Sequence, residues 1–182
     1  MKKILFSFLA AGVFLSADAL KAQTVIFEDN FDTYTDFAIA NVGNWTLTDV
    51  DLKTTYGFTG ITFANTGVAK SFQVFNSTTT TPPMTATETS NWTARSGNKM
   101  MVAFAATSAP WNNDWLISPQ VQLVSGQGAS LSFWGKGCDA EYGAEKFRVL
   151  VSTTGTAVAN FTPLSAVTTT PSDAAWHEYT YN

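Results

Sequence analysis

The sequence predicts an all-β domain, an antiparallel sandwich, on three observations. Short runs rich in Val, Ile, Thr and aromatic residues follow one another, punctuated by Gly, Asn, Pro and Ser. No sustained helical pattern separates them, which argues against a parallel α/β sheet. The stretch WNNDWLISPQVQL, residues 111–123, sets Trp115, Ile117, Pro119, Val121 and Leu123 at every second position. That is the period of a strand buried on one face.

The expected strands run in order along the chain. They are TVIFE (24–28), WTLTD (45–49), TGITFA (59–64), SFQVFN (71–76) and KMMVAFA (99–105). DWLISPQVQLV (114–124), ASLSFWG (129–135), EKFRVLVS (145–152) and WHEYTY (176–181) follow. Pro119 has no N–H for a ladder and marks an edge, a bulge or a break. TDFAIAN (35–41) and AVANF (157–161) are long enough for a helical turn or two and no more. The Thr-rich STTTTPPMTATETS (77–90), with Pro82-Pro83, reads as an exposed, mobile loop. Phe72, Phe104, Trp115, Phe133 and Phe147 read as core.

Residues 1–22 stand apart. Lys2 and Lys3 precede an apolar run from Ile4 to Leu15 and then small residues, the plan of a secretory signal peptide. The run is short for a bilayer span, and no other segment has the character of one. Cleavage is expected after Ala22, with Ala19 as the alternative, leaving residues 23–182 as one domain. That mature chain keeps 7 of the 10 basic and 13 of the 14 acidic residues, a formal net charge of about −6. It has no basic stripe, so nucleic acid is not an expected partner. Cys138 is the single cysteine, so no intrachain disulfide forms and stability must come from the core or from a metal.

Six blocks, in order, carry a family resemblance: VIFEDNFD, NWTLTDVD, NDWLISPQVQL, ASLSFWGKGCDAEYGAEKFRVLVSTTG, NFTPL and WHEYTY. Over residues 25–181 the chain resembles the cleaved-adhesin, or choice-of-anchor J, domain of secreted Bacteroidetes proteins. This domain recurs in the haemagglutinin regions of gingipain-type proteases and is similar in kind to the MAM domain. The resemblance implies a galactose-binding-like jelly-roll sandwich, a place outside the cell or on its surface, adhesive function and no catalysis. It also implies that DWLISPQVQL is a central strand that puts a tryptophan in the core and turns at the proline. The family continues past the position of WHEYTY, with a strand returning beside the first. The expectation is therefore a fold truncated at its C-terminus, with an unpaired edge open to self-association.

Acidic residues are the candidate metal ligands. By resemblance Glu28 and Asp29, at the end of the first strand, are expected to bind Ca²⁺, with Asp139 and Glu145 as a second pair. Ca²⁺ takes six to eight oxygen ligands, and an acidic secreted domain suits it. Asp49 and Asp51 form a D-x-D that resembles the family's acidic loop without its Gly-rich continuation. The segment is not an EF-hand, since the central Gly and the bidentate Glu are missing. Catalysis has little support: His177 is the lone histidine, and no nucleophile motif is present. No pair of carboxylates is singled out for glycoside hydrolysis.

Six Trp, five Tyr and fourteen Phe are more aromatics than a core this size requires. Trp92, Trp111 and Tyr56 fall in predicted loops among Asn, Ser, Thr and Gly. There they either cap the sandwich or stack against sugar rings, whose faces are apolar and whose rims hydrogen-bond. Sequons at Asn44, Asn76, Asn91 and Asn160 read as Thr-rich loop sequence. The expected function is a secreted, non-catalytic adhesion module that recognises host or matrix glycoprotein or polysaccharide. The alternative is a carbohydrate-binding accessory domain of a larger secreted hydrolase.

Overall fold

A computed structural model describes residues 24–182; the predicted signal peptide lies outside the described residues. The chain is all-β. Ten strands pair into five two-stranded antiparallel ribbons, and the only helices among the described residues are single 3-10 turns at Ala140–Tyr142 and Val158–Asn160. β1 (Thr46–Asp49) pairs with β4 (Asp114–Ile117), and β2 (Phe72–Phe75) pairs with β3 (Met100–Ala103). β5 (Leu131–Gly135) pairs with β10 (His177–Tyr181). Two shorter ribbons join β6 (Lys146–Phe147) to β9 (Thr168–Thr169) and β7 (Leu150–Val151) to β8 (Thr162–Pro163). The ladders close no barrel, and they do not by themselves link the ribbons into two continuous sheets.

The core forms around β2 and β3. Val74 and Phe75 are fully buried, and Phe37, Met100, Val102 and Phe104 join Phe75 in one cluster. Phe63 meets Phe75 edge-on at 5.3 Å, and Trp92 stacks on Phe104 at 5.5 Å. Such arrangements suit the aromatic quadrupole. Some polar groups inside are tied down: the buried Gln73 amide nitrogen donates to the carbonyls of Phe37 and Ala64, while its Oε1 meets no partner. Buried Lys70 donates to Thr55 Oγ1 and to the Asn65 and Val68 carbonyls, with its ammonium 4.8 Å from the Phe104 ring. Burial pulls its pKa down to about 8. A second aromatic group lies on the β5–β10 ribbon, where Phe133 meets Phe147, Tyr179 and Tyr181 within 6.1 Å.

Several expected elements take another form. TVIFE has no partner strand, and Val25, Ile26 and Phe27 are exposed. TGITFA makes isolated bridges, Phe58–Ile61 and Thr62–Thr81, in place of a strand. Residues 35–41 form turns, whereas residues 158–160 do make the short helical turn. DWLISPQVQLV pairs only as far as Ile117, because Pro119 cannot continue the ladder. The Thr-rich loop is not uniformly exposed. Ser77 and Thr80 are buried, and Met84 packs on the core. Thr80 Oγ1 donates to the Ser77 and Pro82 carbonyls, which satisfies the turn locally.

Candidate functional site

The antiparallel register of β1 and β4 sets Asp49 directly opposite Asp114. The turn after β1 then brings Asp51 back to them, and carboxylate oxygens of all three lie within 4.8 Å of one another. Local hydrogen bonds build the turn. Asp49 accepts from Leu52 N–H at 2.7 Å and Asp51 from Lys53 N–H at 3.0 Å, which lets Leu52 hold a left-handed φ of 55°. Asp51 also accepts from the backbone N–H of Asn113 at 2.6 Å, and Val50 N–H donates to the Asn113 carbonyl. The first loop is thereby locked to the start of β4.

Asn112 locks the other side. Its side chain donates to the Phe104 carbonyl and to Asp114 Oδ2, both at 2.7 Å, and accepts from Ala106 N–H. Asp114 Oδ1 is buried and meets no donor. Burial pushes this carboxyl up to about 7; Asp51 and Asp49 add to the effect, while Asn112 and Lys70 oppose it. Three acids in one partly buried place favour a compensating positive charge, either a proton or a cation. The donors are all oxygen, which is the hard set that Ca²⁺ takes.

Two of the candidate aromatics stand on the segments that lead into this cluster. Trp111 is next to Asn112 and is 72% exposed. Tyr56 is 56% exposed, and its backbone N–H donates to the Ala105 carbonyl on the same segment that Asn112 clamps. Trp92 is placed differently. It packs on the aromatic core, edge-on to Phe58 and Phe75 and stacked on Phe104, so one ring face is covered. Its position in a loop is legible from the sequence, but its direction is not.

The predicted metal ligands do not converge. Glu28 is exposed. Asp29 accepts from Phe31 N–H, Tyr34 Oη–H and Trp45 Nε1–H, so both of its oxygens are already occupied by donors. The hydrogen bond to Asp29 raises the Tyr34 pKa. Asp139 caps the 3-10 turn at Ala140–Tyr142 by accepting from Glu141 N–H. Glu145 is exposed, and its backbone pairs with Thr170. The residue that sequence reasoning did not single out as a ligand is Asp114. Pairing NWTLTD against NDWLI in antiparallel register is the signal that finds it.

The Cleaved Adhesin Domain family profile matches residues 80–177. The matched span includes Trp111 and Asp114 and stops short of Asp49, Asp51 and Tyr56. No curated protein and no solved structure gives a significant match.

Proposed function

This chain belongs to the cleaved-adhesin domain family, and from that premise we propose that it is a secreted, non-catalytic binding module that takes sugar rings of a glycoprotein or polysaccharide. The observation that carries the reading is a pair of exposed aromatics, Trp111 and Tyr56, on the segments that lead into the Asp49, Asp51 and Asp114 cluster. An exposed aromatic offers an apolar face to a pyranose ring, and nearby carboxylates and amides accept and donate to its hydroxyls. Sandwich-like all-β frames host many functions, so the site and the family carry the argument, not the fold class. No helix among the described residues is long and apolar enough to cross a membrane.

Calcium enters as part of the proposal. Asp49, Asp51 and Asp114 would hold it, and its charge would offset the burial, and after it the neighbouring carboxylates, that raise the Asp114 pKa. The chain's own residues keep the remaining tasks: Asn112 and Asn113 fix the loop, and the two aromatics present the ring faces.

A glycan array probed with the wild-type chain and with Trp111→Ala/Tyr56→Ala tests the site. Binding of neutral glycans that falls at least tenfold in the double variant is expected. Undiminished binding by a folded double variant would move the site elsewhere.

A further inference from the structure

A second surface carries a different chemistry. β5 turns Ser132 and Trp134 to one face, with Thr180 and Glu178 of β10 opposite them in the ladder. The Arg95 guanidinium lies over the Trp134 ring, its carbon 3.8 Å from the centroid. Lys136, two residues on and on the same face, sits over Trp176 at 4.6 Å and donates to the Thr93 carbonyl at 2.9 Å. The Lys136 contacts tie segment 93–95 to the ribbon, and the Trp134 stack holds Arg95 flat.

Arg95 is exposed and makes no side-chain hydrogen bond among the described residues. Charged contacts among those residues are the Lys99–Asp36 ion pair and the approach of His177 to Asp173, so Glu178 is not within ion-pair distance of Arg95. With its carbon over the ring, the guanidinium keeps a planar fork of N–H donors that meet no acceptor among the described residues. That fork matches a carboxylate or sulfate with two parallel hydrogen bonds, and less ordering is lost because the plane is already fixed. Around the stack lie the hydroxyls of Ser132 and Thr180 and the edge of Trp134, which is 38% exposed.

We propose that Arg95 held on Trp134 is a subsite for the carboxylate or sulfate of an acidic glycan, with the Ser132 and Thr180 hydroxyls facing the sugar rim. A sheet face that offers a guanidinium beside two hydroxyls fits the acid group and rim of a pyranose better than a peptide, which binds an edge or a row of pockets. The subsite rests on the reading of the domain as a glycan-binding module but uses residues outside the Trp111–Tyr56 cluster.

The test is calorimetric titration of the full chain with a sulfated heparin-type hexasaccharide and with an oligogalacturonate. A neutral hexasaccharide and a poly-Glu peptide serve as comparisons. The expected result is salt-sensitive binding of an acidic glycan that falls at least tenfold in Arg95→Ala. In Arg95→Lys it should fall several-fold, because the charge stays while the planar fork is lost. Both variants are surface changes, and an unchanged melt verifies their fold. Binding within twofold of wild type in Arg95→Ala overturns the subsite. So does the absence of acidic-glycan binding, or equal Arg95-dependent binding of the peptide. If neutral glycans bind while acidic ones do not, the subsite fails and the loop-cluster site stands. If Arg95-dependent binding survives Trp111→Ala/Tyr56→Ala and neutral glycans do not bind, the loop-cluster site fails and the subsite stands.

Discussion

The region around β2 and β3 and the region from β5 to β9 draw on the same residue types and use them differently. In the first, the fully buried ring of the central strand is surrounded by others: Phe75 meets Phe37, Phe58, Phe63, Trp92 and Phe104. Many of its polar groups are committed as well, although Gln73 Oε1 and Trp92 Nε1 meet no partner. Asp36 alone takes hydrogen bonds from Asn76 and Thr79 and an ion pair from Lys99. In the second region the ladders are mostly two residues long, and Leu131, Val151, Leu164 and Val167 remain 43–49% exposed. Alternation gives a strand its two faces, but burial requires a second layer opposite. The first region supplies that layer from its own loops, including Phe37, Phe58 and Trp92.

The largest expected effect breaks this contrast directly. Phe75→Ala removes a fully buried ring and should destabilise the chain by about 3–5 kcal/mol. Val151→Ala, at a half-exposed position, should cost less than about 1 kcal/mol. Urea melts of the two variants compare them, and similar costs would mean that the two regions are equally packed in solution.

The same contrast explains what the sequence could and could not reveal. β1, β2, β3, β5 and β10 lie inside their predicted windows, because alternation and β-branched or aromatic residues report a half-buried strand wherever a partner exists. TVIFE has the right residues and no partner, and a strand's stability lies in its pairing. The 77–90 loop was legible as irregular but not as partly buried, since Thr hydroxyls that cap turns look in sequence like solvated polar groups. At the candidate site, Asp49, Asp51, Trp111 and Tyr56 stand out by residue type. Asp114 becomes a member only through the register of β1 on β4, which is a long-range fact.

Calcium sharpens the comparison at the β1–β4 ribbon, where the packed region meets the acidic cluster. A ligand that binds only the folded chain stabilises it by about 2.7 kcal/mol at a hundredfold excess over its dissociation constant. Ca²⁺ should therefore raise the melting temperature of the wild type at pH 7.5, and a chelator should reverse the rise. Asp114→Asn should abolish the shift. In chelator it should be no less stable than wild type, because it removes a buried carboxylate that neighbouring acids oppose. A calcium shift that persists in Asp114→Asn would place the ion elsewhere.

A smaller effect belongs to Asp36. Burial opposes its charge, but the Thr79 hydrogen bond, the Lys99 hydrogen bond and ion pair, and the Asn76 hydrogen bond together hold the carboxyl below its ordinary pKa. The folded state therefore binds this proton less readily than the unfolded chain does. The resulting stability is present above the unfolded carboxylate pKa and is lost as pH falls through the lower, folded one. Asp36→Asn should cost about 1–2 kcal/mol at pH 7 and clearly less at pH 3. Denaturant melts at both pH values measure it; an equal cost at each would mean that the ion pair contributes nothing.

The smallest expected effect concerns the uncovered faces. Leu131→Thr and Val151→Thr replace apolar groups that are 47% and 45% exposed with polar ones of strand-forming shape. If water covers these faces, each change should shift stability by less than about 0.5 kcal/mol, as surface substitutions usually do. If a second copy of the chain covers them, the same changes should lower the apparent mass in light scattering and make the melt depend on concentration. The sequence-based expectation of self-association through an open edge then gains a face as well as an edge. A monomer at all concentrations, with both variants neutral, would locate the stability of the chain in the β2–β3 region and leave the β5–β9 ribbons as a surface.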